Sequence, residues 1–181
     1  DPVRVEIAAK TVAVDYSAGY LVNEYGRQAV YELPAYGGAN CAVRAEVLRR
    51  LGGWNHESVT EDTDLTLRAL LAGYRTRYDV TARDTEEAVF SLQRFWRQRY
   101  RWARGHQQCA RDYWRTVWRV PHLSFAERVE TTMFLFSFHL PVLCFAGFGV
   151  ITLVLAGFGR GGFDLLPLTV LMFTGPLLEL G

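Results

Sequence analysis

The sequence predicts an α/β layer that runs on into amphipathic interfacial helices and then membrane-spanning helices. Three observations predict it. Residues 36–80 read in the order strand-like segment, helix, helix, strand, which is the edge of an α/β layer. Between residues 94 and 119 stand eight arginines (Arg94, Arg97, Arg99, Arg101, Arg104, Arg111, Arg115 and Arg119) against one acid, Asp112, so this segment carries +7 in a chain whose net charge is +1. From Thr131 to Gly159 there is no Asp, Glu, Lys or Arg.

Each element follows from local pattern. Residues 4–31 have a loose helical period and no proline, so a helix is predicted before Pro34. Tyr36-Gly37-Gly38-Ala39-Asn40-Cys41-Ala42-Val43 reads as a strand or strand-like loop, whose paired glycines permit close approach of backbone or ligand. A short helix over 44–51 is stopped by Gly52-Gly53, and Trp54 is expected to pack back onto the core. Ser58 with Glu61 fits a capping box, predicting a helix to Ala72 with Gly73 as its stop. Residues 74–80 alternate and are β-prone, predicting a strand, and residues 84–88 form a polar loop.

Residues 92–118 predict one long helix or two. Aromatics (Phe95, Trp96, Tyr100, Trp102, Tyr113, Trp114, Trp118) interleave there with arginine, a composition that suits a membrane interface. Trp114, Val117 and Trp118 are predicted to share one face. Pro121 ends the helix, and Ser124 with Glu127 makes a second capping box. The helix it opens can continue into the charge-free stretch, whose 29 residues exceed the ~20 needed to span a bilayer. Pro141 is tolerated there as a kink. A turn at Gly159-Arg160-Gly161-Gly162 and a second span over 165–178 follow. The basic block before the first span places the N-terminal part in the cytosol. Three parts are expected: residues 1–90, an α/β catalytic portion; 91–123, interfacial helices; 124–181, transmembrane helices. Pro2, the absence of a signal peptide and the apolar run reaching Gly181 suggest a piece of a longer protein.

The same features bound the function. A basic block points to an anionic partner, and its position before an apolar span favours lipid headgroups or phosphate over nucleic acid. Cys41, Cys109 and Cys144 lack CxxC spacing, so they make neither a disulfide framework nor a zinc site. They fit reduced thiols in a cytosolic compartment. His56, His106, His122 and His139 do not cluster in the sequence.

Two constellations carry chemistry. Thr60-Glu61-Asp62, with Asp64, crowds carboxylates at a helix start. The helix dipole alone favours acids there, but crowding also raises at least one pKa, as a general base requires. Gln98, Arg101 and Trp102 lie at i, i+3 and i+4 on one helix side, where an amide, a guanidinium and an indole can hold a diphosphate and stack on a sugar.

Together, Thr60-Glu61-Asp62 and Gln98-Arg99-Tyr100-Arg101-Trp102 resemble the Thr-Glu-Asp and Gln-x-x-Arg-Trp signatures of processive family-2 glycosyltransferases, such as cellulose, hyaluronan, chitin-oligosaccharide and poly-N-acetylglucosamine synthases. Leu51-Gly52-Gly53-Trp54, Leu71-Ala72-Gly73-Tyr74 and Arg101-Trp102-Ala103-Arg104-Gly105 agree as flanks. The resemblance covers residues 34–125 and implies the C-terminal half of a GT-A, Rossmann-like domain. It implies Asp62 as general base with Glu61 and Thr60 shaping its site. Gln98, Arg99 and Arg101 would contact the donor diphosphate. Trp102 and the loop residues Gly38, Ala39 and Asn40 would contact the acceptor.

That loop reads Tyr-Gly-Gly-Ala-Asn-Cys, not the Phe-Phe-Cys-Gly-Ser-Cys of cellulose synthases, which weakens any assignment to cellulose. The resemblance implies a nucleotide-sugar donor (a UDP-sugar), a glycan or lipid acceptor, membrane lipids, and a divalent Mg2+ or Mn2+ whose Asp-x-Asp ligands are missing here. The 181-residue chain by itself is therefore expected to bind sugar nucleotide poorly and to transfer nothing. A non-processive transferase to a lipid, and a membrane-anchored binding or scaffold protein, are the alternatives.

Overall fold

The computed structural model describes residues 2–157 other than 36, 88 and 90. The described chain is helical. Helix α1 (Pro2–Ser17) passes through a π-helical segment (Ala18–Glu24) directly into α2 (Tyr25–Tyr31). Then come α3 (Ala45–Arg50), α4 (Glu61–Leu71), α5 (Leu92–Val117), α6 (Phe125–Leu135), a 3-10 turn (Ser137–His139) and α7 (Leu140–Gly157). The described residues divide into two compact units, one before and one after the boundary between Phe136 and Ser137.

The helix predicted over 4–31 is present, and so is the short helix that Gly52 and Gly53 stop; both glycines have φ near +80°. The capping box predicted at Ser58 does not form. Thr60 is the N-cap of α4, and Ser58 Oγ instead donates to the Thr60 carbonyl at 3.0 Å. Gly73, at φ +86°, ends α4 as expected, and His122 Nε2 stands 2.9 Å from the Leu70 carbonyl at that helix end. Residues 92–117 make one helix, not two. The second capping box forms in full: Ser124 Oγ accepts from Glu127 N, and the Glu127 carboxylate accepts from Ser124 N at 2.7 Å.

No strand occurs among the described residues, so the predicted α/β layering is not seen in them. Residues 74–79, predicted as a strand, have no regular secondary structure. Two of their hydrogen bonds pair a side chain with a backbone group: Tyr78 N donates to Gln28 Oε1 at 2.9 Å, and Thr76 Oγ1 donates to the Pro34 carbonyl at 2.5 Å. A strand needs backbone-to-backbone pairing, and no such ladder forms at this segment among the described residues. In the other expected strand, Gly38 (φ +84°) and Asn40 (φ +48°) curl the chain within three residues. Asn40 Nδ2 then donates to the Ala82 carbonyl at 3.0 Å.

Leu67 and Leu70 of α4, Cys109, Ala110 and Val117 of α5, and Leu33, Leu123 and Leu135 form the core. Trp54, expected against it, is 37% exposed. Of the aromatic face predicted at 114, 117 and 118, Val117 is fully buried while both tryptophans remain partly exposed. Trp118 Nε1 donates to Thr132 Oγ1.

A charged cluster ties α2 to α6. Arg27 is buried, donates through Nε to Glu130 Oε1 at 2.5 Å, and lies 4.1 Å over the Phe134 ring. His106 of α5 packs edge-on against Phe134, and burial lowers its pKa to about 4, so it sits there as a neutral imidazole.

The helix predicted to run on through the charge-free stretch breaks at Phe136. Among the described residues no single helix is long and apolar enough to cross a membrane; α6 with residues 137–152 passes that test only as a bent pair. The predicted turn at 159–162 and the second span at 165–178 lie outside the described residues.

Removing one partner of a buried pair strands the other charge. Glu130→Ala is therefore expected to destabilise the fold by about 3 kcal/mol, measured by urea denaturation followed through tryptophan fluorescence.

Candidate functional site

Helix α5 builds the site by holding the N-terminus of α4 in place at three successive turns. At the first, Gly105 faces Thr60. A Cβ on Gly105 would overlap Thr60 Oγ1 and Cγ2 and come within 2.7 Å of its Cβ. Only hydrogen at position 105 lets the two elements approach this closely. At the second, Gln108 grips the backbone leading into α4: its Oε1 accepts from Val59 N at 3.2 Å and its Nε2 donates to the Glu57 carbonyl at 3.1 Å. At the third, Tyr113 donates its hydroxyl proton to Asp64 Oδ1 at 2.6 Å.

Asp64 is 2% exposed and fully partnered. Asn55 Nδ2 also donates to its Oδ1, and Arg68 Nε donates to Oδ2 at 2.6 Å. Arg68 in turn donates to the carbonyls of Leu51 and Gly53. The role of Asp64 is to join three elements; both of its oxygens are engaged, Oδ1 by two donors and Oδ2 by Arg68.

Asp62, two residues away, faces a pocket of about 240 Å³. Thr60, Glu61, Asp62, Gly38, Ala39, Gln98, Arg101 and Trp102, all expected to act together, line it. Residues far apart in sequence thus share one cavity. The Asp62 carboxylate lies against Gly38, where a Cβ would meet Oδ2 at 2.8 Å, and its Oδ1 accepts from Thr63 N at 2.6 Å. Burial pushes its pKa above the ordinary 3.8, the Thr63 N–H pulls it back, and the neighbouring Glu61 charge pushes it up again; the net is upward.

Two expected residues stand elsewhere. Arg99 does not line the pocket: it pairs with Asp15 of α1 and lies 4.4 Å over the Trp102 ring. Asn40 is held to the Ala82 carbonyl instead.

Sequence reasoning missed Tyr16, Tyr20 and Glu86, which also line the pocket. Tyr16 accepts from Gln98 Nε2 at 3.3 Å and lies nearly parallel to Trp102, with centroids 6.4 Å apart. The two tyrosines are four residues apart on a helix, a spacing that could have drawn attention. Glu86 sits in a loop with no local pattern to mark it.

Among the described residues no group of three His, Cys, Asp or Glu could hold a metal ion. In Asp62-Thr63-Asp64 the second carboxylate is already ion-paired with Arg68 and bonded by Asn55 and Tyr113, which opposes a cation there.

A family model described as Glycosyl transferase family group 2 matches residues 3–178. The chain is similar to "Probable glycosyltransferase YdaM" of Bacillus subtilis (strain 168), 38% identical over 82 residues, which are 45% of this chain and 20% of that protein. It is similar to "Beta-monoglucosyldiacylglycerol synthase" of Synechocystis sp., 34% identical over 98 residues, 54% of this chain and 20% of that protein. It is 28% identical over 110 residues to "Poly-beta-1,6-N-acetyl-D-glucosamine synthase" of Staphylococcus epidermidis, 60% of this chain and 26% of that protein. The chain thus spans about a quarter or less of the length of these relatives. No solved structure matches it with significance.

Gly105→Ala is expected to destabilise the fold by about 1–3 kcal/mol, because Thr60 must move to admit the methyl group. Urea denaturation measures the loss.

Proposed function

This chain belongs to glycosyl transferase family group 2, and on that premise we propose that it carries the acceptor side and the general base of an inverting hexosyl transfer from a nucleotide sugar to a growing polysaccharide. The observation that supports this best is the single pocket lined by both Asp62 and the Gln98, Arg101 and Trp102 face of α5.

The chemistry follows from these groups. Asp62 takes the proton of the acceptor hydroxyl as its oxygen attacks the anomeric carbon, on the face opposite the leaving group. The anomeric C–O bond to the diphosphate breaks, and the nucleoside diphosphate leaves with the electron pair. Arg101, with Gln98 beside it, stabilises that charge as it develops. Trp102 offers the acceptor an apolar face. Burial, with the Glu61 charge adding to it, keeps the Asp62 pKa up and so makes it a better proton acceptor. Thr60 sets the backbone from which both carboxylates project. Arg99 acts on Trp102 from behind, not on the donor. A divalent metal, where the full protein uses one, belongs to residues outside this set.

The three-part organisation is part of the reading: residues 1–90 catalytic, 91–123 at the bilayer surface, 124–181 within the inner cell membrane, with the catalytic part cytosolic. The exposed Trp96 and Tyr100 among the arginines of α5 support it. A second reading, transfer to a lipid acceptor, is favoured by the relative named "Beta-monoglucosyldiacylglycerol synthase" and by the departure of residues 36–41 from the cellulose synthase loop.

In the full-length protein, Asp62→Asn is expected to lower sugar transfer by at least about 10²-fold while leaving membrane association intact. Transfer of radiolabelled sugar from a panel of UDP-sugars into vesicles measures this, and product length separates polymer from glycolipid. The wild-type activity is expected to fall on the acid side with a midpoint above pH 3.8, because the folded site raises the Asp62 pKa. The sign for stability is opposite. A raised carboxyl pKa means that ionisation costs stability as pH rises from the unfolded value through the folded one. Asp62→Asn is therefore expected to be more stable than wild type at pH 7, with the difference closing as pH falls below 3.8.

A further inference from the structure

The glycines at 37 and 38 separate two oxygen-bearing side chains that come from different elements, the π-helical segment and α4. A Cβ on Gly38 would meet Asp62 Oδ2 at 2.8 Å; one on Gly37 would meet the Tyr20 hydroxyl at 3.0 Å. Consecutive Cα atoms are about 3.8 Å apart. The Tyr20 hydroxyl and the Asp62 carboxylate therefore border the same short stretch of backbone, on the wall of the same pocket.

Tyr20 reaches this place because the helix widens there. The π-helical segment Ala18–Glu24 carries Tyr20, which lines the pocket beside Gly37, and Glu24, whose Oε2 accepts from Ala35 N; Tyr16, just before it, also lines the pocket. Such local widening of a helix is often found at functional sites. The Tyr20 ring stands edge-on to Tyr16 at 6.0 Å, and Tyr16 lies along Trp102. One wall of the pocket is therefore aromatic, and its end nearest Asp62 carries a phenol. Burial raises the Tyr20 pKa to about 12, and the charges of Glu86, Glu24 and Asp84 add to the rise, so the hydroxyl keeps its proton and remains a donor.

We propose that Tyr20 is the acceptor-positioning residue, its hydroxyl donating to an oxygen of the acceptor sugar while Asp62 receives the proton of the attacking hydroxyl. The ligand is the saccharide end of a glycan, which offers an apolar ring face to the aromatic wall and oxygens at its edge. This assignment rests on the glycosyl-transfer reading above. Tyr16 is a positioning residue, acting through Gln98 and Trp102.

The test uses the full-length enzyme in vesicles, with UDP-glucose and UDP-N-acetylglucosamine as donors and octyl β-glucoside and octyl β-N-acetylglucosaminide as acceptors. Tyr20→Phe keeps the ring and removes the hydroxyl. The expected result is an acceptor KM raised about tenfold, the size of one hydrogen bond, with donor KM and Tm unmoved. Gly37→Ala, which pushes the phenol aside, is expected to raise acceptor KM in the same direction. Wild-type transfer with acceptor KM unchanged in both variants overturns the Tyr20 assignment alone. So does a donor KM that rises with the acceptor KM. A wild type that transfers to neither saccharide overturns the glycan-transfer reading and this assignment with it.

Discussion

The contact between Gly105 and Thr60 is the constraint on which the rest of the site depends. It brings the backbone of α5 against the first residue before α4, so that the carboxylates of one motif and the amide, guanidinium and indole of the other open onto one cavity. Any larger residue at position 105 would move Thr60, and Asp62 two residues on would move with it. The other ties between these elements are directional. Gln108 spends both ends of its amide on the backbone of residues 57 and 59, and Tyr113 reaches Asp64. Packing sets the distance, and the hydrogen bonds set the rotation.

This arrangement divides labour between two aspartates two residues apart. Asp64 faces inward and is consumed by Asn55, Arg68 and Tyr113. Asp62 faces the pocket, keeps Oδ2 towards Gly38, and has its pKa raised by burial. Sequence alone cannot separate them, since both sit in the first turn of a helix where the dipole favours acids. The separation comes from the side of α4 that meets α5.

The helices were largely legible in the sequence, because amphipathic period and glycine stops are local signals. Residues 45–50, 61–71 and 92–117 fall close to their expected bounds, and the Ser124 box forms as its spacing demands. The Ser58 box has the same spacing but fails, since Thr60 caps the helix and the Ser58 hydroxyl turns to a carbonyl. The β-prone alternation of residues 74–80 did not produce a strand, because a strand depends on a neighbour that local pattern cannot supply. The site was legible only in part for the same reason. Pairing of the two motifs was expected; the capture of Arg99 by Asp15, and the arrival of Tyr16 beside Gln98, depend on long-range contacts between residues more than 80 apart in sequence, and Tyr20 arrives from the π-helical segment.

A double-mutant cycle between positions 105 and 60 tests the central claim most directly. Gly105→Ala, Thr60→Gly and the double variant are compared by urea denaturation. Removing the Thr60 side chain removes the atoms that the new methyl group would strike. The account predicts that Gly105→Ala costs at least about 1 kcal/mol less in the Thr60→Gly background than in the wild type. Additivity within about 0.5 kcal/mol would contradict it, because the two helices would then not be held together at that point.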